Sequence, residues 1–463
     1  MAFTAGIAVP FAGPVRAADW SEQDLATAAA LRNQALAGTR AYEHVSSLVT
    51  EVGPRFAGSA GDSAAVRWAL NKLGALGLSK VRTQDVLVPR WIRGTADVSI
   101  TSPYPQPLVA VSLGGSVGTA EEGIEAPVMA AASLDALSTL PAGAASGKIV
   151  FIDQRMERSR DVSGYAAAVP GRTQGASVAA NLGATAVVIR SIGTSPDRIA
   201  HTGTLVYRTD APRIPAFALS NPDADLLARQ LASGKPVRMK LRSTARELPP
   251  AWSANVIGEV PGNDRGNEVV LLGAHLDSWD VGQGAVDDGA GVAIVAEAAR
   301  LIARLNPSRT VRVVLFANEE FGLSGAREYA RLAGDEVGRH VIAMEADLGQ
   351  GPVWRLDSRV APEMQPAIAE ILKALEPINV AAGESNTSGG SDLRPLREAG
   401  VPVLNLALDA TTYFDVHHTA NDTLAKIDPK NLDQAVAAYA VTAWLAATKQ
   451  GDFGRTVVAE KKE

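Results

Sequence analysis

One stretch of the sequence, residues 271–291, constrains the fold and the chemistry of this chain more than any other. It begins within an apolar run, residues 268–274, whose lack of polar alternation is typical of a buried parallel strand. Apolar residues recur at helical spacing over residues 292–305. The loop between this predicted strand and helix contains His275, Asp277, Asp287 and Asp288. Because open α/β sheets bind ligands at the carboxyl ends of their strands, we predict a functional site in this loop.

The composition indicates a globular chain without a strong charge asymmetry. Its 463 residues predict roughly two to four domains, and a hydrophobic fraction of 46% is enough to form their cores. The net charge of −6 arises from interspersed acidic and basic residues, so we expect neither nucleic acid nor a membrane surface as a partner. The absence of cysteine excludes disulfides, thiolate metal ligands and a cysteine nucleophile.

The first 19 residues are apolar and small, and Val15-Arg16-Ala17 resembles the small-residue end of a secretory signal. The positively charged beginning of such a signal is missing, so the segment is either the tail of a signal peptide or a disordered terminus. We favour the first interpretation and expect an exported protein, periplasmic or secreted. The protein would be cytoplasmic if the segment is not a signal.

The pattern of elements predicts an α/β fold in which one domain interrupts another. Residues 246–463 alternate strands with helices, which indicates a mainly parallel sheet covered by helices on both faces. Residues 20–107 are assigned to the same domain. Residues 108–245 differ in texture, with short strands, one short helix at 174–181 and many Gly and Pro turns, and are predicted to form an inserted smaller domain.

Further ligand-type residues follow other predicted strands of the main domain. The strand over residues 311–316 leads to Glu319 and Glu320, two adjacent carboxylates that point in different directions, so that one can bind a metal while the other faces a water. Two later strands lead to Asp347 and to a segment containing His417, His418 and Asp422. Strand ends at one sheet edge thus deliver imidazoles and carboxylates together, a ligand set that suits zinc.

These segments resemble those of the dizinc aminopeptidase/glutamate carboxypeptidase family. The similarity covers residues 275–289, Glu319-Glu320, Glu345-Ala-Asp347 and the segment from His417 to Thr423. Weaker similarity at residues 52–59, 165–175, 201–203 and 214–215 indicates one subgroup of the family, and the whole resemblance spans roughly residues 40–445. It implies a phosphorylase/hydrolase-like zinc exopeptidase domain with a protease-associated-like insert.

The resemblance also implies roles for individual residues. One zinc ion would be held by His275, Asp287 and Asp347, and the other by Asp287, Glu320 and His418, with Asp287 bridging the two. Glu319 would be the general base, and Asp277 would orient the imidazole of His275. A cis peptide bond is implied between Asp287 and Asp288.

The histidine pair departs from the wider family pattern, in which a Tyr commonly precedes the ligand histidine. Here that position is His417, to which we assign an oxyanion-stabilising role because an imidazole N–H can donate to a developing alkoxide. The family pattern makes His418 the ligand, since it directly precedes Thr419. The sequence without that pattern leaves the choice between the two histidines open.

Taken singly, these residues have structural interpretations, because a lone loop carboxylate is most often a helix cap or a solvated charge. Together they favour a metal site, since buried carboxylates require compensating charge. Residues 388–392 either line a substrate pocket or form a Gly-rich loop with an Asp cap. We interpret His201 as an ordinary loop histidine, and Arg394 and Arg397 as solvated helix charges that could alternatively bind a substrate carboxylate. Two further histidines, His44 and His340, are expected to be structural.

The resulting functional prediction is a zinc-dependent exopeptidase that hydrolyses terminal peptide bonds of dipeptides or short peptides. Dipeptidase or carboxypeptidase action is favoured, and aminopeptidase action is the alternative, because the same metal core supports it. A non-catalytic receptor-like member of the fold is disfavoured because every implied ligand position is filled. An amidase acting on a non-peptide amide remains open, since the pocket walls decide the substrate. A homodimer is implied by the resemblance alone.

Overall fold

The computed structural model describes residues 19–456. The predicted signal-like segment therefore lies outside the described residues, except for Asp19. Within residues 19–456, no helix is both long and apolar enough to cross a bilayer. The helices are α1 Glu22–Leu36, α2 Ala41–Glu51, α3 Ala60–Ala75, α4 Leu134–Ser138, α5 Ser163–Asn181, α6 Asn221–Ala232, α7 Ala290–Ile302, α8 Ser324–Ala333, α9 Gln365–Leu375, α10 Arg394–Glu398 and α11 Pro429–Thr448.

Two extended sheets organise these helices. The strands are β1 Ser79–Ile92, β2 Ala96–Ser102, β3 Gln106–Leu108, β4 Ala110–Ser112, β5 Ile124–Ala131, β6 Ile149–Ile152, β7 Ala186–Arg190, β8 Ala216–Leu219, β9 Arg238–Ser243, β10 Arg246–Val260, β11 Arg265–His275, β12 Arg309–Phe316, β13 His340–Glu345, β14 Val353–Arg359, β15 Ala381–Ala382 and β16 Val403–Leu408. The first sheet has the order β1-β10-β12-β11-β13-β16-β14-β15, and the second has the order β3-β2-β9-β5-β6-β7-β8-β4.

The first sheet is parallel at its centre, as predicted, and antiparallel pairs flank that centre. Strands β12, β11, β13 and β16 run parallel to one another, whereas β10 joins β12, and β14 joins β16, in antiparallel fashion. The carboxyl ends of the four central strands therefore meet at one edge. This is the edge at which the predicted site residues lie.

Both faces of this sheet are covered, which explains the unbroken apolar run in β11. Val270 and Leu272 belong to a core that includes α7 and α11, while Val269 and Leu271 belong to a second core that includes α8 and α10. Alternate residues of a strand point to opposite faces, so a strand covered on both sides is apolar throughout. The rigid centre of the sheet thus fixes the position of His275 at the end of β11.

The second sheet begins earlier in the chain than the predicted insert. Strand β2 pairs with β9 from Ala96↔Ser243 to Ser102↔Arg238, and β3 pairs with β2. The predicted boundary between residues 107 and 108 is therefore wrong by about a dozen residues, and the chain enters the second sheet near residue 95. The sequence of the short strand β2 does not show which sheet the strand joins, because strand pairing depends on residues far away in the chain.

Three other element predictions differ from the structure. The helix predicted at 174–181 is the end of α5, which starts at Ser163 and accommodates Pro170. Strand β10 starts at Arg246 and passes through Pro249 and Pro250. Its pairing with β1 shifts register between Val88 and Arg90, so the prolines lie at an irregularity where a missing N–H is tolerated. Strand β14 has no counterpart in the prediction.

The loop after β11 is held by a buried arginine that precedes α3. The Arg55 side chain is fully buried, and its Nε donates to the carbonyl of Leu276 at 2.5 Å. Its two terminal nitrogens donate to the carbonyls of Gln283 at 3.0 Å and Gly284 at 2.8 Å. Burial lowers the pKa of Arg55, although several acidic groups nearby oppose that shift. One guanidinium therefore binds both ends of the loop that carries the first ligand candidates.

We expect Arg55→Met to lower the free energy of unfolding by about 3 kcal/mol, because it leaves three buried carbonyls without a charged donor. Chemical denaturation of the purified variant would measure this change. Arg67→Met, at an exposed position of α3, is the matched control and should change stability by less than about 0.5 kcal/mol. Equal stabilities of the two variants would contradict the role assigned to Arg55.

Candidate metal centre

Asp287 lies between two histidines that come from opposite ends of the site. Its Oδ1 is 3.1 Å from His275 Nε2, and its Oδ2 is 3.4 Å from His418 Nε2. His275 Nε2 is also 3.4 Å from Asp347 Oδ1, and His418 Nε2 is 2.9 Å from Glu320 Oε2. The five residues assigned as ligands from the sequence are thus brought together, with one oxygen of Asp287 facing each half of the cluster.

Hydrogen bonds to the other ring nitrogens fix which atom each histidine presents. His275 Nδ1 lies 3.0 Å from the carbonyl of Asp277, and His418 Nδ1 lies 3.3 Å from the carbonyl of Thr202. A carbonyl only accepts, so the proton of each neutral imidazole is on Nδ1. Both Nε2 atoms therefore point at the carboxylates, whose charges overcome the opposing effect of burial and raise the pKa of His275 and His418 well above its usual value. A metal ion would replace the proton on each Nε2 and bind the neutral ring there.

The donor set fits a divalent metal. Nitrogen and oxygen atoms of His275, Asp287 and Glu320 lie within 4.8 Å of one another, and the residues are buried. Asp287 Oδ2 and Glu320 Oε1 are buried and form no hydrogen bond within residues 19–456. Buried carboxylate oxygens without a donor are unfavourable unless a cation compensates them. Imidazole nitrogen with carboxylate oxygen is a ligand combination that zinc accepts.

The electrostatics of the cluster point to the same compensation. Burial, with repulsion from Asp287, raises the pKa of Glu320 to about 7. Burial, with repulsion from Asp347, raises the pKa of Glu345 to about 8. Burial also opposes ionisation of Asp287, but contacts with His275 and His418 hold its pKa well below the usual range. Carboxylates outnumber cationic side chains here, so bound cations would relieve a repulsion that the protein itself leaves in place.

Two buried aspartates support the loop that carries Asp287. Asp288 accepts hydrogen bonds from the main-chain N–H of His275 at 3.0 Å and of Gly291 at 2.9 Å. Asp422 accepts from the main-chain N–H of Val286 at 2.6 Å and of Asp287 at 3.2 Å. The peptide bond between Asp287 and Asp288 is cis, as the family resemblance implied.

Asp277 acts differently from the expectation. Its carboxylate Oδ1 is 3.7 Å from His275 Nδ1, too far for a hydrogen bond, and its main-chain carbonyl orients that ring instead. The carboxylate accepts hydrogen bonds from the N–H groups of Glu319 at 3.0 Å and Glu320 at 3.3 Å. The chain leaves β12 at this point, so these N–H groups lack strand partners and the carboxylate provides them. Asp277 thus orients the two glutamates rather than His275.

A cavity of about 630 Å³ opens onto the cluster. Its volume lies within the range of about 300–1,000 Å³ that is usual for small-molecule sites. Glu319, the predicted general base, lines it beside Asp347, and burial with repulsion from Asp347 raises the pKa of Glu319 well above its usual value. The loop 388–391 also lines the cavity, as do Arg394 and Arg397.

His417 lies against His418, with ring centroids 3.5 Å apart. Its Nε2 is 3.6 Å from Asp287 Oδ2, and its Nδ1 forms no hydrogen bond with any residue of the range 19–456. Burial, together with the charge of His418, lowers the pKa of His417 well below its usual value. The closer contact of His418 with Glu320 favours His418 as the ligand, while neutral His417 faces the cavity.

Sequence reasoning missed several residues that the second sheet contributes. Tyr165 and Arg172 of α5 line the cavity, and His201, which we interpreted as an ordinary loop histidine, donates from Nδ1 to the carbonyl of His417 at 2.8 Å. Their segments were among the weaker similarities, but no spacing rule related them to the ligands. The other two histidines are structural, as expected: His44 pairs with Glu297, and His340 hydrogen-bonds Tyr329.

The fold and the site together define a metal-dependent hydrolase built at the carboxyl edge of a parallel sheet. Residues 255–443 match the model of peptidase family M28. Mouse carboxypeptidase Q is 36% identical over 410 residues, which cover 88% of this chain and 86% of that protein. Aminopeptidase YwaD from Bacillus subtilis is 26% identical over a region that covers 85% of this chain and 82% of that protein.

A solved structure supports the same family assignment. The crystal structure of a peptidase M28 precursor from Shewanella amazonensis is 46% identical, covers 94% of this chain and 99% of its own, and superposes with a TM-score of 0.92. The chain belongs to peptidase family M28 and is a metallopeptidase. The subgroup indicated by the sequence is that of carboxypeptidase Q, in agreement with this relationship.

We expect Asp277→Asn to weaken metal binding by roughly 10- to 100-fold, because the amide nitrogen that replaces one oxygen faces an N–H of the glutamate pair. Competition with a chelator would measure the affinity for zinc. Asp85→Asn, at an exposed position of β1, is the control and should bind zinc like the wild type. An unchanged affinity in Asp277→Asn would show that its carboxylate does not orient the ligand loop.

Proposed function

We propose that this peptidase is a dizinc exopeptidase that hydrolyses the terminal peptide bond of dipeptides or short peptides, with dipeptidase or carboxypeptidase action. The observation that carries the proposal is a cluster of candidate metal ligands at one wall of a cavity. The same cavity is lined by Arg172, which forms no ion pair within residues 19–456. His275, Asp287 and Asp347 would hold one ion, and Asp287, Glu320 and His418 the other. Two zinc ions at such a site supply Lewis-acid activation of water and of the scissile carbonyl.

Glu319 is the proton carrier in this proposal. Its carboxylate lines the cavity, and its main chain is held by Asp277, so its position relative to the ligands is fixed. As general base it removes a proton from the attacking water, and as general acid it returns that proton to the leaving amine. One proton is taken and one is given, so the carboxylate ends each turnover in its starting state.

His417 is proposed to donate a hydrogen bond to the carbonyl oxygen as negative charge develops there. Its lowered pKa keeps the ring neutral, and a neutral ring carries one N–H. The ring lines the cavity, enclosed by Tyr165, Tyr413 and Phe414, with centroid distances of 5.0, 4.9 and 5.2 Å. This enclosure limits rotation of the ring and favours a preorganised donor.

Arg172 supports recognition of a free carboxyl terminus. The residue is 6% exposed, lines the cavity and forms no ion pair within residues 19–456. Its guanidinium donates to the Tyr165 hydroxyl at 2.8 Å and to the Thr204 carbonyl at 3.3 Å. Its Nη1 atom lies against Gly203 and has no hydrogen-bond partner within residues 19–456. A buried cation without a counter-ion is unfavourable, and a substrate carboxylate would compensate it.

Arg394 and Arg397 are weaker candidates for this role. Arg394 already pairs with Glu398 at 2.9 Å, and Arg397 donates to the carbonyl of Ser388 at 2.6 Å. Arg394 is exposed and Arg397 is partly buried, and each already has an acceptor for its guanidinium. Aminopeptidase action is the second candidate, favoured by Glu345, an acidic residue that lines the same cavity. A related protein, aminopeptidase YwaD, is named for that activity.

We also propose that the protein is exported and that it forms a homodimer. The signal-like segment supports export, and mass determination of the N-terminus of protein purified from its native cells would test removal of the segment. The dimer rests on the family resemblance, and light scattering on the purified chain would test it.

Glu319→Gln should reduce kcat by about 10²- to 10⁴-fold on unblocked dipeptides, because the amide takes up no proton. The substrate panel contains unblocked dipeptides, N-acetylated dipeptides and an aminoacyl anilide, each with and without chelator. Cleavage of unblocked or acetylated dipeptides that the chelator abolishes supports the proposal, whereas preferred cleavage of the anilide assigns an aminopeptidase. Glu363→Gln, at an exposed position, is the control and should retain activity. No cleavage of any member by zinc-loaded wild type would overturn the peptide specificity.

Arg172→Met should reduce kcat/KM for unblocked dipeptides by about 10- to 100-fold, the effect of losing one charged hydrogen-bonding contact. The same variant should hydrolyse the corresponding dipeptide amides as well as the wild type does, since those substrates lack the carboxylate. Steady-state kinetics on the matched acid and amide pair gives this comparison. An equal loss on both substrates would assign Arg172 to the structure of the site instead.

A further inference from the structure

A short segment between β7 and β8, residues 201–204, leaves the second sheet and crosses to the metal-ligand loops of the first. We refer to these four residues, His-Thr-Gly-Thr, as the bridging segment. It lies about 70 residues before the first ligand candidate in the sequence and contributes no predicted ligand itself. Its hydrogen bonds nevertheless concentrate on the ligand loops.

Four hydrogen bonds join the bridging segment to those loops. His201 Nδ1 donates to the His417 carbonyl at 2.8 Å, and the Thr202 N–H donates to the His418 carbonyl at 3.0 Å. His418 Nδ1 donates back to the Thr202 carbonyl at 3.3 Å. The Thr204 hydroxyl donates to the Glu320 carbonyl at 2.6 Å. The contacts therefore reach His418 and Glu320, the two candidate ligands whose side chains lie 2.9 Å apart.

The part of the chain that folds around the second sheet, here called the second sheet unit, also holds the bridging segment. The His201 N–H donates to Ser191 Oγ at 2.8 Å, and the Gly203 carbonyl accepts from the Gly114 N–H at 2.9 Å. Gly203 has a φ of +138°, and a Cβ there would lie 2.3 Å from Arg172 Nη1. The position thus requires glycine, because both the backbone conformation and the close arginine exclude a side chain.

The contacts are unevenly distributed over the metal centre. Glu320 and His418 are bound by the bridging segment, whereas His275 is positioned by the Asp277 carbonyl and Asp347 follows β13 of the first sheet. One half of the cluster therefore depends on the second sheet unit, and the other half depends only on the first. Hydrogen bonds behind a ligand fix its orientation and typically change metal affinity by about 10- to 100-fold.

We propose that the bridging segment completes one half of the metal centre. His201, through the main-chain carbonyl of His417, is a positioning residue for His418, and Thr204 is a positioning residue for Glu320. The inference rests on the proposed dizinc function. Its specific consequence is that weakening the segment loosens one of the two ions and leaves the other, held by His275 and Asp347, unchanged. A segment that served only to pack the two sheet units together would affect both ions or neither.

The test is stepwise removal of zinc from the full-length protein by a graded chelator, with the metal remaining on the protein measured by atomic absorption. Thr204→Val removes the hydroxyl donor at nearly constant shape. His201→Leu removes the ring donor, and His201→Asn keeps a side-chain N–H close to the position of Nδ1. Thr185→Val is the matched control, because that hydroxyl also donates to a main-chain carbonyl, of Lys148 at 3.1 Å, within the second sheet.

We expect Thr204→Val and His201→Leu to release one equivalent of zinc about 10- to 100-fold more readily, with the second equivalent within about threefold of wild type. His201→Asn should recover most of the affinity, and Thr185→Val should behave as wild type. The absorption spectrum of the cobalt-substituted protein should change for one site only. These readouts do not require turnover.

Equal release of both equivalents in Thr204→Val and His201→Leu, or wild-type affinity in both, overturns the inference. A loss in Thr185→Val as large as that in Thr204→Val also overturns it, since the effect would then report general destabilisation. A wild-type protein that holds fewer than two zinc ions overturns the dizinc function and the inference together. Wild-type activity with two bound ions and unchanged variants overturns the inference alone.

Discussion

The mutual repulsion of carboxylates buried at one sheet edge is the constraint on which the rest of the site depends. Glu319, Glu320, Glu345, Asp287 and Asp347 cannot all be ionised together in a dry environment without compensating charge. The surrounding structure supplies main-chain N–H groups and two imidazoles, which stabilise part of this charge. Buried polar groups near this edge form hydrogen bonds that hold the carboxylates and imidazoles in a fixed arrangement.

The two sheets divide this task between them. The first sheet fixes the cluster through the rigid ends of its central strands and through Arg55, whose guanidinium binds the loop after β11. The second sheet supplies the opposite cavity wall, with Arg172, and the hydrogen bonds behind Glu320 and His418. The proposed substrate recognition and the proposed ligand orientation would therefore depend on one unit, since Arg172 also donates to the Thr204 carbonyl.

The parallel core and the candidate residues at the strand ends follow from local pattern. The choice of ligands among those candidates, including His418 over His417, follows only from the family resemblance. An unbroken apolar strand followed by acidic and histidine residues is visible within about ten residues, and the structure brings all such ends together. The membership of β2 in the second sheet, the role of the Asp277 carboxylate and the position of His201 were not visible. Each of these depends on a partner between 40 and 220 residues away in the chain, and pairing over such distances leaves no local signature.

The arrangement of the ligands along the chain has a consequence for biosynthesis. Arg55 holds the loop that leads to Asp287, and the segment at residues 201–204 holds His418, so parts of one centre come from positions separated by most of the chain. A chain emerging from the ribosome can form the second sheet early, because all of its strands precede residue 244. The metal centre has to wait until residue 418 has emerged, so a nascent chain would carry exposed acidic loops until nearly the end of synthesis. The full set of candidate ligands therefore exists only after nearly the whole chain has been made, which ties the metal centre to completion of the fold.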